Sequence, residues 1–326
     1  MARGIYTLAL WLALPFLIFR LWWRGRREPG YRESVFERFG LFSKIPDGGP
    51  GSPLIWIHAV SLGETRAAVP LVREIERRLP DSRLLITHMT ATGRESARLL
   101  FHDRASFAWL PYDYPFAVRA FLQAFRPALG ILMETEVWPN LTREGARIGL
   151  PLILANARMS DRSARGYHRL AALSQPTFDA LTAVAAQTET DAQRIRHLGA
   201  RVVEVAGNLK FDVQPDPELV QRLGRAFRAG YGKRPVFLVA STREGEEQLL
   251  ADAWKRRSRD ALLVIVPRHP PRFDEVGDLL DRSGLQHWRR SDGLEVPARC
   301  DVVLGDSMGE LPAYYASADV ALINQK

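Results

Sequence analysis

Between residues 5 and 19 no side chain is charged, and the apolar run continues past Arg20 through Leu21, Trp22 and Trp23 to a basic patch of Arg24, Arg26 and Arg27. That length is close to the roughly 20 residues a bilayer core requires, with a Trp pair and arginines suited to its interface. The pattern predicts an N-terminal membrane anchor, spanning or interfacial, and the basic flank after it puts the body on the cytoplasmic side. Arg-Leu-Trp-Trp-Arg is a poor cleavage site for a signal peptide. Beyond the anchor, short apolar runs alternate with amphipathic stretches. Strands are expected at 54–60, 83–88, 107–110, 128–133, 150–155, 183–187 and 202–205, with helices from Glu64 (to about Leu79), Gly93, Pro115, Trp138 and Thr190. A second series holds helices at 218–229, 246–257, 273–283 and near Leu311, and strands at 235–240, 261–266, 301–304 and 320–323. Repeated βαβ units with short loops predict an α/β protein with two parallel, doubly wound sheets facing a cleft.

A Pro/Gly-rich loop at 45–53 and the stretch Asp212-Val-Gln-Pro-Asp-Pro217 punctuate the chain. The domains read as 1–30, anchor and basic flank; 31–212, a first Rossmann-like domain; and 213–326, a second. With 326 residues there is room for both cores. Composition excludes disorder, at 46% hydrophobic and 25% charged residues. Forty-five basic against 37 acidic residues, a net +8, favour anionic partners. Cys300 is the only cysteine, so there is no intrachain disulfide, and a reducing compartment is expected. Eight scattered Trp residues without an RNA-binding aromatic motif do not point to nucleic acid. Neither a dinucleotide fingerprint nor a P-loop occurs, nor any metal-binding spacing; a metal-free mechanism without a cofactor is expected.

Ligands of open α/β sheets gather at the carboxyl ends of strands, so polar residues there are the candidates. Glu64 follows the first strand after a Ser-Leu-Gly turn, either as a helix-start acid that favours the macrodipole or as a substrate-facing carboxylate. Glu134 and Glu136 follow the strand ending at Met133, where Pro139 starts a helix and either acid could serve as a cap. Asn156-Ala-Arg-Met-Ser160 and Gly207-Asn-Leu-Lys210 also follow strands, and Lys210 is placed where a cation could meet a departing phosphate. Arg143, Arg147, Arg162, Arg165 and Arg169 read as a solvated face or as a surface for a phosphorylated lipid. In the second domain Arg268, His269 and Arg272 stand after a buried strand and suit a phosphate ester. Gly305-Asp-Ser-Met-Gly-Glu-Leu311 follows another strand and opens a helix, either capping it or binding an anion. Ser241 lies in a third strand-to-helix turn, Ala240-Ser-Thr-Arg-Glu-Gly-Glu-Glu247.

The ordered set His58-Ala-Val-Ser-Leu-Gly-Glu64, Glu134-Thr-Glu-Val-Trp-Pro-Asn140, Asn156-Ala-Arg-Met-Ser160, Gly207-Asn-Leu-Lys-Phe-Asp212, Pro267-Arg-His-Pro270 and Gly305 to Leu311 resembles the bacterial 3-deoxy-D-manno-octulosonic acid (Kdo) transferases of lipopolysaccharide synthesis. The resemblance covers essentially the whole chain, anchor included. It implies a GT-B glycosyltransferase on the cytoplasmic face of the inner membrane. Its first domain takes a lipid A precursor (lipid IVA), and its second binds the donor CMP-Kdo. It also implies roles. Glu64 matches the general base; Glu134 and Lys210 match groups that stabilise the transition state; Arg268, His269, Met308, Gly309, Glu310 and Ser241 match the CMP site. Inversion then requires a base opposite the leaving group and no metal.

Two features depart from the family pattern. Arg243 stands where His is usual, and the chain ends at Asp319-Val-Ala-Leu-Ile-Asn-Gln-Lys326 where relatives continue. The expectation is therefore an incomplete donor domain with an exposed strand edge. An inactive remnant, or a GT-B transferase or epimerase using another sugar nucleotide, are the competing readings; oligomeric state is left open.

Overall fold

Leu54 to His58 is apolar or β-branched at nearly every position and is buried on both faces, as a central strand of a parallel sheet requires. In the computed structural model residues 2–42, 52–212, 217–256 and 260–323 are described. The 45–53 loop, the 212–217 stretch, the end of the helix expected at 246–257 and the last three residues lie wholly or partly outside them. The chain divides into two compact units, Met1–Val213 and Gln214–Lys326.

In the first unit, helix α1 (Ala2–Arg27) precedes β1 (Leu54–His58), α2 (Leu62–Ala67), α3 (Val69–Arg78), β2 (Arg83–His88), α4 (Ala91–Phe101), β3 (Ser106–Trp109), α5 (Pro115–Phe125) and β4 (Leu129–Met133). There follow α6 (Pro139–Arg147), β5 (Leu152–Ala157), α7 (Asp161–Arg169), α8 (Ala171–Asp179), β6 (Ala183–Ala186), α9 (Glu189–His197) and β7 (Val203–Val205). The strands form one parallel seven-stranded sheet in the order β3-β2-β1-β4-β5-β6-β7. Side chains alternate between two cores: Leu54 and Trp56 face Leu85, Phe121 and Leu132, whereas Ile55 and Ile57 face Ile86, Ile131 and Met133. Gly130 is required by this packing, because a Cβ there would lie 2.6 Å from Leu152 and 2.8 Å from the Trp56 ring. Order reverses between β1 and β4, so their carboxyl ends flank the topological switch point.

The single helix expected from Glu64 to about Leu79 is two. Pro70 lies in the first turn of α3, and its missing N–H breaks the ladder after Ala68. Helix α1 is the one helix among the described residues long and apolar enough to cross a membrane. It is held along the first unit near its own start. Tyr6 Oη donates to Asp113 (3.0 Å), Tyr114 Oη donates to the Leu10 carbonyl (2.6 Å), and Trp11 packs on Tyr114 and Phe116. Its outer side exposes Ile5, Leu8, Leu12, Phe16, Phe19 and Trp23, a stripe at helical spacing.

The second unit runs α10 (Pro217–Tyr231), β8 (Val236–Thr242), α11 (Glu246–Lys255), β9 (Leu262–Pro267), α12 (Phe273–Arg282), β10 (His287–Arg289), β11 (Val302–Leu304), α13 (Leu311–Ser317) and β12 (Val320–Ile323). Its parallel sheet has the order β10-β11-β9-β8-β12. Among the described residues strand β12 pairs with β8 only, and Val320, Leu322 and Ile323 are exposed.

Candidate functional site

The Ser61 side chain caps α2 by accepting from the Glu64 N–H (3.4 Å), and its hydroxyl donates to Glu64 Oε1 (2.9 Å). The Val60 N–H donates to Glu64 Oε2 (2.9 Å). This is a variant of the capping box, with the acid reaching back to the N–H of Val60, one residue before the cap, so the helix-start reading of Glu64 is correct as far as it goes. It does not exhaust the residue. Glu64 is 7% exposed, and each carboxylate oxygen keeps a lone pair beyond its one hydrogen bond. Burial raises its carboxyl above the ordinary range; the Val60 and Ser61 hydrogen bonds pull it down, Glu134 raises it and Lys210 lowers it. His58 and His88, at the ends of β1 and β2, are pushed down to about 3 and about 4, first by burial, and are neutral packing groups at pH 7.

Across the switch point, Glu134 ends β4 in the left-handed region (φ 58°), with its N–H on the Ala155 carbonyl at 2.9 Å. The backbone reversal turns Glu134 toward the segment after β7. There Asn156, itself left-handed at φ 53°, accepts the Leu209 N–H on Oδ1 (3.1 Å), and Asn208 accepts the Lys210 N–H (3.0 Å). The resulting turn delivers Lys210 Nζ to Glu134 Oε1 at 3.0 Å. The structure thus brings Glu64, Glu134 and Lys210 into one electrostatic cluster, although they lie in three separate sequence segments.

Glu136 joins that cluster. Burial, then the charges of Glu64 and Glu134, push its carboxyl up to about 7. The Glu-x-Glu spacing after β4 was the available signal, but spacing alone does not separate a cap from a tuned acid. Arg147 and Arg165 of the basic face pair within their own helices with Glu144 (2.9 Å) and Asp161.

In the second unit the candidates lie at the carboxyl ends of β8, β9 and β11, three neighbouring strands. Ser241 adopts φ 62° at a register shift between Ala240 and Thr242, and the Arg268 N–H donates to the Thr242 carbonyl at 3.1 Å. Arg268 and His269 are exposed, as is Met308. Gly309 has φ 84°, where a side chain would be strained. Among the described residues the backbone N–H groups of Ser307, Met308 and Gly309 have no hydrogen-bond partner, and free loop amides of this kind suit an anion. The helix here begins only at Leu311, with Pro312 in its first turn, so these amides belong to the loop. Glu310 accepts from Arg290 Nη2 (2.9 Å) and from the Ser307 hydroxyl. Arg272 does not stand free for a phosphate. Its guanidinium makes a two-pronged pair with the fully buried Glu247, at 2.8 and 3.1 Å.

A family model described as 3-deoxy-D-manno-octulosonic-acid transferase (kdotransferase) matches residues 33–213. The 3-deoxy-D-manno-octulosonic acid transferase of Bordetella pertussis is 43% identical over 340 residues, covering 99% of this chain and 77% of that protein. The enzyme of that name from Haemophilus influenzae is 34% identical over 328 residues, covering 99% and 76%. Among solved structures, a UDP-GlcNAc 2-epimerase from Neisseria meningitidis bound to UDP-GlcNAc covers 84% of this chain and 77% of its own, with TM-score 0.56 at 15% identity. A glycosyltransferase from Rickettsia africae covers 83% and 72% with TM-score 0.51 at 12% identity. At those identities the likeness shows the fold alone: α/β with two Rossmann-like units, the GT-B class. The order of motifs from Glu64 to Leu311 and near-full-length identity to named relatives agree, and this chain belongs to the Kdo transferase family of glycosyltransferases.

Proposed function

We propose that this chain transfers Kdo from CMP-Kdo to a hydroxyl of a lipid A precursor, lipid IVA, in lipopolysaccharide core biosynthesis, with inversion and without a metal. Glu64 is the general base. The observation that carries the reading is a buried carboxylate at the switch point whose basicity is raised by burial, beside the Glu134–Lys210 pair. The acceptor oxygen attacks the anomeric carbon of Kdo as Glu64 takes its proton. The bond from that carbon to the CMP phosphate oxygen breaks, and CMP leaves with the electron pair. Lys210 supports negative charge growing on the leaving phosphate, and Glu134 supports positive charge on the sugar. Exposed Arg268 and His269, Ser241 and the loop carrying Met308, Gly309 and Glu310 hold the CMP moiety.

The working surface is the cytoplasmic face of the inner membrane. Tyr6, Leu10 and Trp11 are tied to the globular body, which favours a helix lying in the interface over one that leaves the body to span the bilayer. The test is transfer from CMP-Kdo to lipid IVA by the full chain in detergent, with EDTA present. Expected are a Kdo-lipid product with EDTA, none with uridine nucleotide sugars, and loss of product in Glu64→Gln. Full activity of Glu64→Gln would remove the base assignment, and collapse of activity in EDTA would remove the metal-free one.

A further inference from the structure

A cavity of about 240 Å³ lies between α1 and the loops after β1, β2, β3 and β4. Three arginines line it: Arg20 and Arg24, one turn apart on α1, and Arg38 from the segment before β1. Arg38 is 1% exposed. Its guanidinium lies 3.8 Å over the Trp109 ring, with the Tyr31 and Tyr112 rings at 5.7 and 5.9 Å. Its Nη2 donates to the Met89 carbonyl (3.3 Å), and its Nε has no partner. Arg24 donates to Tyr31 Oη at 3.1 Å. Among the described residues none of the three makes an ion pair with a carboxylate. A buried, unpaired guanidinium is costly unless an anion arrives to meet it. Glu136 is the one acid lining the cavity among the described residues, and burial, then the charges of Glu64 and Glu134, push its carboxyl up to about 7.

The cavity adjoins the proposed base. Val60 lines it and donates its N–H to Glu64, and Glu136 lines it within the electrostatic reach of Glu64. On the outer side of α1 the exposed Leu12, Phe16, Phe19 and Trp23 run toward the end that carries Arg20 and Arg24. The arginines suit an anionic head, and the exposed stripe suits the apolar phase in which a lipid's chains lie. We infer that this cavity is an anion subsite that takes a phosphomonoester on the headgroup of the lipid acceptor and so sets the accepting hydroxyl at Glu64. The inference rests on the transfer reading above.

Its test compares the full wild-type chain with Arg20→Gln/Arg24→Gln, whose sites are close enough to the surface to fold, on the phosphorylated lipid A precursor and on the same lipid after phosphatase treatment. The double substitution is expected to raise acceptor KM roughly tenfold on the phosphorylated lipid, the loss of charge-assisted hydrogen bonds, with kcat and donor KM nearly unchanged. On the dephosphorylated lipid the two proteins should converge. Equal losses on both lipids, or an unchanged KM on the phosphorylated one, would overturn the subsite. Titration calorimetry with glucosamine 1-phosphate and with inorganic phosphate needs no transfer. Saturable glycosyl-phosphate binding that weakens in the double variant supports the subsite even if no Kdo is moved, in which case the transfer reading alone falls. Binding that ignores the substitutions, or that prefers inorganic phosphate to the glycosyl phosphate, overturns it.

Discussion

In the first unit Glu64 is buried and the candidate groups already interact: Glu64 is capped and desolvated, Glu134 holds the half-exposed Lys210, and Glu136 is pushed up to about 7. In the second, Arg268, His269 and Met308 stand in solvent, and the strong pairs nearby, Arg272 with Glu247 and Arg290 with Glu310, hold loops. The difference fits the two proposed tasks. A base must have its proton affinity set before substrate arrives, and burial beside chosen charges does that. A nucleotide phosphate needs donors that water can leave, so exposed side chains and unpaired loop amides serve, and nearby ion pairs fix the loop.

Substitution separates these tasks most sharply at Glu64. Glu64→Gln is expected to lower kcat by about 10²–10⁴-fold, the usual range for a general base, with little change in donor KM. His269→Ala should do the reverse, raising KM for CMP-Kdo with kcat far less affected. Steady-state kinetics that gave both variants the same profile would erase the division. Ion pairs come next. Glu247→Gln takes the charge from the buried partner of Arg272, which keeps the longer contact with Glu275 (3.6 Å) and is 18% exposed, so the loss should lie above the about 1 kcal/mol of an exposed pair and below the about 3–5 kcal/mol of a fully buried one. Calorimetric unfolding should show a fall in stability of that size. Lys210→Met breaks a pair whose lysine is half exposed, so stability should move by less than about 1 kcal/mol while activity falls.

A smaller effect tests whether the first-unit charges act on Glu64 at all. The acid limb of kcat/KM should lie above the range of an ordinary glutamate, because burial raises the Glu64 carboxyl and the base must be ionised to work. Lys210 lowers that carboxyl and Glu134 raises it. The Lys210→Met limb therefore moves to higher pH and the Glu134→Gln limb to lower pH. Limbs that move together would show that a group other than Glu64 is being titrated.

Most strands were readable because a parallel sheet buried on both faces writes itself as apolar runs, as at 54–58 and 262–267. The pair α7 and α8 was not: residues 161–169 carry only one buried side chain, and Pro176 sits inside α8, so neither shows the usual stripe. Strand β10 is three half-buried residues, too short for any period. At the site, Glu64 and Lys210 were readable as residues at strand ends. The left-handed backbones of Glu134, Asn156 and Ser241 were not, because no glycine marks them. Arg38 sat unseen in a polar junction. Its burial depends on Trp109 and Tyr112, over 70 positions further along, and no local pattern carries that distance.

The last comparison concerns the hold on α1. Asp113 is 5% exposed and accepts from the N–H groups of Asn140 (2.9 Å) and Leu141 (2.8 Å) as well as from Tyr6 Oη. Burial outweighs these bonds and pushes its carboxyl up to about 7 from an ordinary 3.8. Between those values the folded chain holds a proton that the unfolded chain releases, so stability falls as pH rises through the window, by at most about 1.4 kcal/mol per pH unit for one group. Asp113→Asn removes the titration and keeps an acceptor oxygen. Its stability should be lower at pH 5, because the amide NH2 it introduces faces donors from which the carboxyl oxygens accept, and should decline less toward pH 7. Denaturant unfolding in detergent at pH 5, 6 and 7 reads both slopes. Parallel slopes would mean that Asp113 is ionised throughout and that the α1 contact, unlike the Glu64 cluster, is not tuned by burial.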